Sequence, residues 1–452
     1  MRKMHYVLLG GFILLLFFPG WALVEIAGGG IQASIGLLVL IYVVATIEFV
    51  RGTFRYQLQA SHWILIGLAL VATLLTFRAY DAPRWQFDPD PVGKAWRQIY
   101  YIYTGIAIYL ILPYLVRTRE DLHFGAKILF VGAAIEMLYG LIELAATFGF
   151  APWFEILDRV ARGNPSFVSV PATAPVTLYG IIPRLHFTAS EPSYLGPMLI
   201  LPAALALSAA LVGDASKRRV YAALAGGISL CYLLSFSRLG AGMLVVAFGL
   251  VSYWALKANR RFPMLVAIAA GSAMVIFTAA VFVATKRPAG PPLPFGSDAS
   301  IYSRVVSQII ALKVWSGNIW GIGYGLFGHY FQAYVGPYLA PGDQELYALA
   351  FANPLQWVPI HNTYLRIATE LGIEGIGLMI ALWLIIGSKA IRAIRTAQGT
   401  AYFFITIGTC AAFGGILVGN LMEDFSELVV VWFLLAFTER AADLLVTPEK
   451  NT

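Results

Sequence analysis

The sequence predicts an all-α fold, a polytopic membrane helix bundle of about 12 transmembrane helices, and three observations carry that prediction. Hydrophobic residues make up 59% of the 452 residues and charged residues only 12%, against the roughly 25% charged of soluble domains. Apolar runs long enough to cross a bilayer recur along the chain. Basic residues gather in alternate short loops, as the positive-inside rule expects of a multi-pass protein.

The runs fall near 6–24, 31–50, 62–79, 98–116, 126–149, 194–212, 218–235, 239–256, 263–285, 373–388, 400–421 and 427–446. Arg2 and Lys3 ahead of Val7 to Val24 resemble a signal peptide, but no small-residue cleavage site follows, so an uncleaved first helix is expected. With the N-terminus inside, Arg51, Arg55, Arg117, Arg119, Lys217 to Arg219, Lys257, Arg260, Arg261, Lys389, Arg392 and Arg395 share the cytoplasmic face. Both termini are then cytoplasmic, and two long loops, 150–193 and 286–360, are extracytoplasmic. The chain divides into N-terminal helices with the first loop (1–193), central helices (194–285), the second loop through 372 (286–372) and C-terminal helices (373–452).

In the second loop, 286–297 reads as a Pro/Gly linker. Ile301, Val305, Ile309 and Leu312 recur at helical spacing and predict a helix on or near the membrane surface, with Arg304 off its apolar stripe. The net charge of +7 is scattered among short loops, which reads as topology and not as a nucleic-acid surface. Cys231 and Cys410 lie inside apolar runs without CxxC spacing and suit packing better than a disulfide or metal site. Neither an Asp-x-Asp pair nor a His/Cys cluster with ligand spacing occurs, so no catalytic metal and no cofactor are expected.

The stretch from Pro359 to Gly372 is the densest in signals. Pro359 sets up a helix start a few residues on, with Asn362 or Thr363 as N-cap, and places His361 at the helix's positive end. A helix N-terminus disfavours a second positive charge, which suits an imidazole to act as a base, and its free amides attract an anion. Arg184, Arg238 and Arg304 lie at the outer ends of spans or in outer loops, against the topology rule, and a guanidinium can clamp phosphate oxygens in two places. Each could equally snorkel or pair with a carboxylate such as Glu191. Arg366 stands four residues before Glu370, the spacing of a helix-surface ion pair. Glu136 and Glu143, seven apart within a span, share a helix face with Gly140 and suit structural glue or sugar binding. Glu423, Asp424 and Glu427, at the outer end of the last two spans, are expected in a solvated loop, with binding of sugar hydroxyls as the alternative. The aromatic residues of the second loop, Tyr324 among them, suit interface anchoring or stacking on sugars. Gly321 to Gly325 permits a tight turn and is not a phosphate loop, since no Lys-Ser pair follows.

Several of these features occur together, and in order, in one known group. His361-Asn362 with Leu365, Glu370, Leu371 and Gly372 resembles the signature of the O-antigen ligase and polymerase superfamily. Ser237-Arg238-Leu239-Gly240, Gly321-Ile322-Gly323-Tyr324-Gly325, and Arg184 followed by Ser190-Glu191-Pro192-Ser193 extend the likeness over the second half to two-thirds of the chain. The resemblance implies a GT-C-like, metal-independent glycosyltransferase of the bacterial inner membrane with a periplasmic site. Its donor would be an undecaprenyl diphosphate-linked glycan, with His361 as base on the acceptor hydroxyl. Arg184, Arg238 and Arg304 would bind the diphosphate, and Glu191, Asn362, Arg366 and Tyr324 are candidates for acceptor or sugar contacts. The Ser-Glu-Pro-Ser-Tyr stretch resembles polymerases more than ligases, so the expected acceptor is another lipid-linked repeat unit, with lipid A core as the alternative. Membrane lipids and a chain-length regulator are further expected partners, and nucleic acid is not. A lipid-linked oligosaccharide flippase is the alternative from another class; a related peptidoglycan polymerase fits less well, because the signature rests on histidine and not on a loop acid.

Overall fold

In the computed structural model most of the apolar runs within the described residues form helices. The structure describes residues 2–446 other than 20–21, 27–28, 85–89, 152, 155–176, 179–181, 184, 190–192, 236, 259–298, 340–343, 348–349 and 352–357. The helices are α1 (Arg2–Leu15), α2 (Ala33–Val50), α3 (Ala60–Thr76), α4 (Pro91–Leu115), α5 (Arg119–Thr147), α6 (Leu195–Val212), α7 (Arg218–Leu234) and α8 (Arg238–Ala258). They continue with α9 (Ala299–Gly317), α10 (Phe327–Val335), α11 (Thr363–Ala397), α12 (Phe403–Gly419) and α13 (Val429–Val446). Among the described residues, seven helical segments are long and apolar enough to cross a membrane: α2, α3 with its extension to Tyr80, α4, α5, α6, α8 and α11.

Three expectations are corrected. The run at 6–24 is not one helix: α1 ends at Leu15, ahead of Pro19, and the chain turns into an antiparallel hairpin, β1 (Ala22–Ile26) with β2 (Gly29–Gln32). Fourteen residues span only about 21 Å at 1.5 Å per residue. A second short hairpin pairs β3 (Thr177–Leu178) with β4 (Ile182–Pro183), so among the described residues the regular structure is helical apart from these two ribbons. The run at 373–388 is part of a longer helix that begins at Thr363. The expected span at 263–285 lies outside the described residues.

The third correction concerns α9. Its buried face is Tyr302, Val306, Ile310 and Val314, with Ser303 and Ser307, whereas Leu312 is 46% exposed. The buried stripe is therefore shifted by one residue from the expected one. The reason is hydrogen bonding: Tyr302 Oη donates to Tyr338 O and Ser307 Oγ to Pro359 O, so these polar residues can turn inward. With α10 and with Ala79, Ala82 and Ala95, α9 surrounds a small apolar core of its own, containing Phe327, Phe331 and Ile360. One face of α9 is packed on this core, and Leu312 and Lys313 on the other are exposed.

Two groups of helices build the main core. In one, α12 packs against α6 and α8; in the other, α11 packs against α3 and α13, and α13 against α4. Small residues permit the close approaches: a Cβ on Gly408 would stand 2.8 Å from Leu205 Cα, and one on Gly105 would overlap the Trp432 ring. Lys389 ties the second group together at one end, between Glu439 (2.6 Å) and Asp443 (2.9 Å), with Gln59 alongside. The other end carries the features below.

α11 is broken near that end. Gly372 has φ 70 and ψ −166, outside helical geometry. The segment before α10 fills the break: Ile322 N and Gly323 N donate to Thr369 O and Glu370 O at 3.1 and 2.9 Å, and Ile373 N donates to Ile319 O at 3.0 Å. A Cβ on Gly372 would stand 2.4 Å from Trp320 C, and one on Gly321 2.6 Å from Gly372 N. The two glycine motifs, far apart in sequence, are one backbone-to-backbone contact that only glycine allows.

Candidate functional site

The site begins with the start of α11. Asn362 is the N-cap, as expected: its Oδ1 accepts from Leu365 N at 3.0 Å. Its Nδ2 donates to Leu421 O, Thr363 N to Asn420 O, and Phe425 N to Thr363 Oγ1. These bonds zip residues 362–363 onto the 420–425 turn between α12 and α13. Capping thereby fixes a loop 60 residues away against the residue that precedes the cap, His361.

His361 has φ 53, a left-handed conformation rare for a residue with a side chain. Its carbonyl accepts from Gln308 Nε2 at 3.1 Å. The ring reaches Glu423, with Nδ1 2.8 Å from Oε1. Arg304 Nη1 stands 2.8 Å from the other oxygen, Oε2, and also donates to Met422 O. Burial alone would raise the Glu423 carboxyl, but the bond from His361 and the charge of Arg304 outweigh it and bring it down to about 2. Glu423 is therefore ionised at neutral pH and accepts the Nδ1 proton. In the neutral imidazole that leaves the lone pair on Nε2, which has no hydrogen-bond partner among the described residues. A carboxylate that holds one imidazole nitrogen and presents the other as acceptor is an arrangement for taking a proton.

Behind this pair lies a second cluster. Arg366 is 1% exposed, with Nε 3.0 Å from Glu370 Oε2, Nη1 bonded to Asp424, and Nη2 2.6 Å from Glu427 Oε1. Its guanidinium lies over the Tyr324 ring at 4.4 Å and touches Gln98 Oε1 at 3.3 Å. Tyr324 is fully buried and bonds Ser426 Oγ at 3.0 Å. Glu370 also accepts from Phe327 N, which caps α10. One guanidinium thus faces three carboxylates. Burial, and then the neighbouring Asp424 charge, push Glu427 up to about 7 against the opposing pull of Arg366. Its side chain is the most open of the three partners, at 26%.

The expected site residues therefore separate. His361, Asn362 and Arg304 come together. Arg304 has Nη1 engaged, and its remaining nitrogens have no partner among the described residues. The i, i+4 pair of Arg366 and Glu370 is present, but both residues and Tyr324 are buried. Arg238 opens α8 behind Ser237, whose Oγ accepts from Gly240 N at 3.1 Å. Arg184 and Glu191 lie outside the described residues.

Glu136 and Glu143 hold backbone. Glu143 accepts from His186 N and Phe187 N at 3.0 and 2.8 Å, and Glu136 from Thr188 N and Oγ1. Phe187 packs where a side chain on Gly140 would otherwise stand. Two carboxylates in an apolar span thus satisfy the amides of a buried, irregular segment, the glue alternative of the sequence reading.

The solvated loop expected at Glu423, Asp424 and Glu427 is corrected: Glu423 is 6% exposed, and all three carry ion pairs. Sequence reasoning also missed Gln98, and Arg78, whose Nη1 donates to Gly321 O at 2.8 Å. The available signal was three acids within five residues at the edge of two apolar runs, where unpaired charge is costly.

Fold and site together define a helical membrane protein with a carboxylate-held histidine and a buried arginine cluster at one end of the bundle. No protein-family model matches the chain, and no curated protein matches it.

Proposed function

We propose that the chain is a membrane glycosyltransferase that moves a glycan from a lipid diphosphate to an acceptor hydroxyl, with His361 as base. The observation that carries this reading is the 2.8 Å contact between His361 Nδ1 and the ionised Glu423, which leaves Nε2 as a proton acceptor beside a helix N-terminus. In the proposed step the acceptor O–H gives its proton to Nε2 while its oxygen attacks the anomeric carbon. The bond from that carbon to the diphosphate oxygen breaks, the lipid diphosphate leaves, and the imidazolium returns its proton to water. One displacement inverts the anomeric centre. The free nitrogens of Arg304 meet the charge that grows on the leaving oxygen. The sequence resemblance supports the finer parts: about twelve spans in a GT-C-like bundle, a periplasmic site in the bacterial inner membrane, an undecaprenyl diphosphate donor, and a lipid-linked repeat unit as acceptor in preference to lipid A core.

The test is purified protein in nanodiscs with one lipid-linked repeat unit as sole substrate, beside His361→Ala, read as glycan size on a gel. A ladder from wild type and none from the variant is expected. Products that form only after lipid A core is added point to a ligase. Movement of the lipid-linked glycan across the bilayer with no new glycosidic bond overturns the reading in favour of a flippase.

A further inference from the structure

Side chains three and four residues apart share one face of a helix, and on α9 the face made by Arg304, Ser307 and Gln308 carries three donors. Each takes a main-chain carbonyl: Arg304 Nη1 donates to Met422 O, Ser307 Oγ to Pro359 O, and Gln308 Nε2 to His361 O at 3.1 Å. The carbonyls belong to the two segments, 359–361 and 422–423, that supply the imidazole and the carboxylate of the proposed base. Arg304 also fixes the far oxygen of that carboxylate, Glu423 Oε2. Neighbouring turns of one helix therefore hold both halves of a pair whose members lie 62 residues apart in sequence.

The histidine of that pair is under backbone strain. Ile360 is buried in the small core beside α9, whereas Tyr364 packs edge-on against Trp383 of the main core, with 4.8 Å between ring centres. The chain passes from one core to the other between these residues, and His361 takes the turn at φ 53. Right-handed backbone lies near −63°, so relaxation would rotate the Cβ by roughly 115° about the N–Cα bond and carry the ring away from Glu423. Among the described residues, one hydrogen bond holds the His361 backbone, the one from Gln308. The strain of a left-handed residue and the net worth of an amide–carbonyl bond are of the same order, so this single bond is large enough to decide between the two conformations.

We propose that Gln308 is a positioning residue for the transfer: its amide holds His361 in the left-handed conformation that turns Nδ1 onto Glu423 and presents Nε2 to the acceptor hydroxyl. The inference rests on His361 as the base, but its first readout needs no transfer. Which ring nitrogen carries the proton is set by the bond the other surroundings allow it: on a carboxylate at Nδ1 the neutral ring is the Nδ1–H form, whereas an imidazole released into water favours the Nε2–H form. The experiment is nitrogen NMR of the full-length protein in detergent, with isotopically labelled histidine, at about pH 8.5, well above an ordinary imidazole. The His361 signal, among the six histidines, is the one missing from His361→Ala. Three variants accompany it. Gln308→Met keeps an unbranched, helix-favouring side chain without the donor. Gln308→Asn keeps the amide and draws it back by one methylene. Ser316→Ala removes a bond to Lys313 O at an exposed position of the same helix.

The expected result is the Nδ1–H form in the wild type and in Ser316→Ala, and a mixture with the Nε2–H form in both Gln308 variants. In transfer assays with the lipid-linked repeat unit, the Gln308 variants should lose about fivefold in kcat, the population shift for one lost amide–carbonyl bond, with KM unchanged. An Nε2–H form in the wild type, an unmoved signal in a folded Gln308 variant, or an equal change in Ser316→Ala overturns the proposal. A raised KM with kcat unchanged does so too, because the amide would then be touching substrate and not holding the base. A shifted signal in a protein that forms no glycosidic bond refutes the transferase reading and leaves the role of Gln308 in holding His361 standing. Transfer that requires His361 but is untouched, with its signal, by both Gln308 variants does the reverse.

Discussion

Replacing Glu423 by glutamine removes the charge that His361 and Arg304 share while keeping an oxygen for Nδ1 to donate to. The structure sets the size of the effect. Holding this carboxyl at about 2 against an ordinary 4.5 is a difference of about 2.5 pH units, or about 3 kcal/mol at 1.36 kcal/mol per unit. Glu423 is 6% exposed, so solvent screening takes little from that figure. The sign follows from a depressed carboxyl: its stabilisation is complete above about 4.5 and drains away as pH falls through about 2. The assay is thermal unfolding of both proteins in detergent, followed by intrinsic tryptophan fluorescence from about pH 7 to about pH 3. Wild type is expected to melt higher at neutral pH, with a gap that is constant down to about pH 5 and then narrows. Parallel curves with a constant gap throughout would show that Glu423 does not carry the charge assigned to it, and the proton-accepting role of His361 Nε2 would fall with it.

Three further outcomes follow from the same geometry. Arg366→Met strands Glu370, Asp424 and Glu427 without their cation and should cost about 3–5 kcal/mol, seen as loss of the monodisperse peak on gel filtration; adding Glu370→Gln should recover part of it, and a fully stable single variant contradicts the hub. Gly372→Ala meets Trp320 backbone at 2.4 Å and should lower the melting temperature, whereas Gly377→Ala, with nothing within 4 Å on the same helix, should raise stability by up to about 1 kcal/mol; equal effects would argue against the docked segment. A Glu427 carboxyl raised to about 7 stabilises in its protonated form, fully below about 4.5, and that contribution is lost as pH rises through about 7. Glu427→Gln should therefore flatten the fall in melting temperature between about pH 4.5 and about pH 7, and an unchanged slope counts against the assignment.

Where a signal is local, the sequence was readable. Pro359, the Asn362 cap and the Arg366–Glu370 spacing each concern neighbours within a turn, and each holds in the structure. The partner of His361 was not readable, because Glu423 lies 62 residues on, and periodicity assigns a residue to a face without saying which loop will meet that face. Treating 423–427 as solvated followed average acid behaviour; a single buried guanidinium reverses it. The stripe on α9 was misplaced for a related reason. Apolar residues were assumed to face inward, but Tyr302 and Ser307 found carbonyl acceptors and took the buried side. At the first helix, hydropathy continued past Leu15, while Pro19 ended the helical geometry.

The break at Gly372 sets an order of assembly. The portion of α11 beyond it, 373–397, can enter a bilayer as an ordinary span, since about 20 residues suffice. The portion before it carries Arg366 and Glu370, and around the break Thr369 O, Glu370 O and Ile373 N find their backbone partners only when residues 319–323 arrive. Insertion of the helices therefore does not make the site. A chain caught after insertion but before docking would pass as a complete membrane bundle, with every span in place and residues 319–323 not yet seated on the break. Quality control that senses only the hydrocarbon-embedded helices would be blind to this last step. Yield of inserted protein and yield of competent protein are then separate quantities, set by different residues.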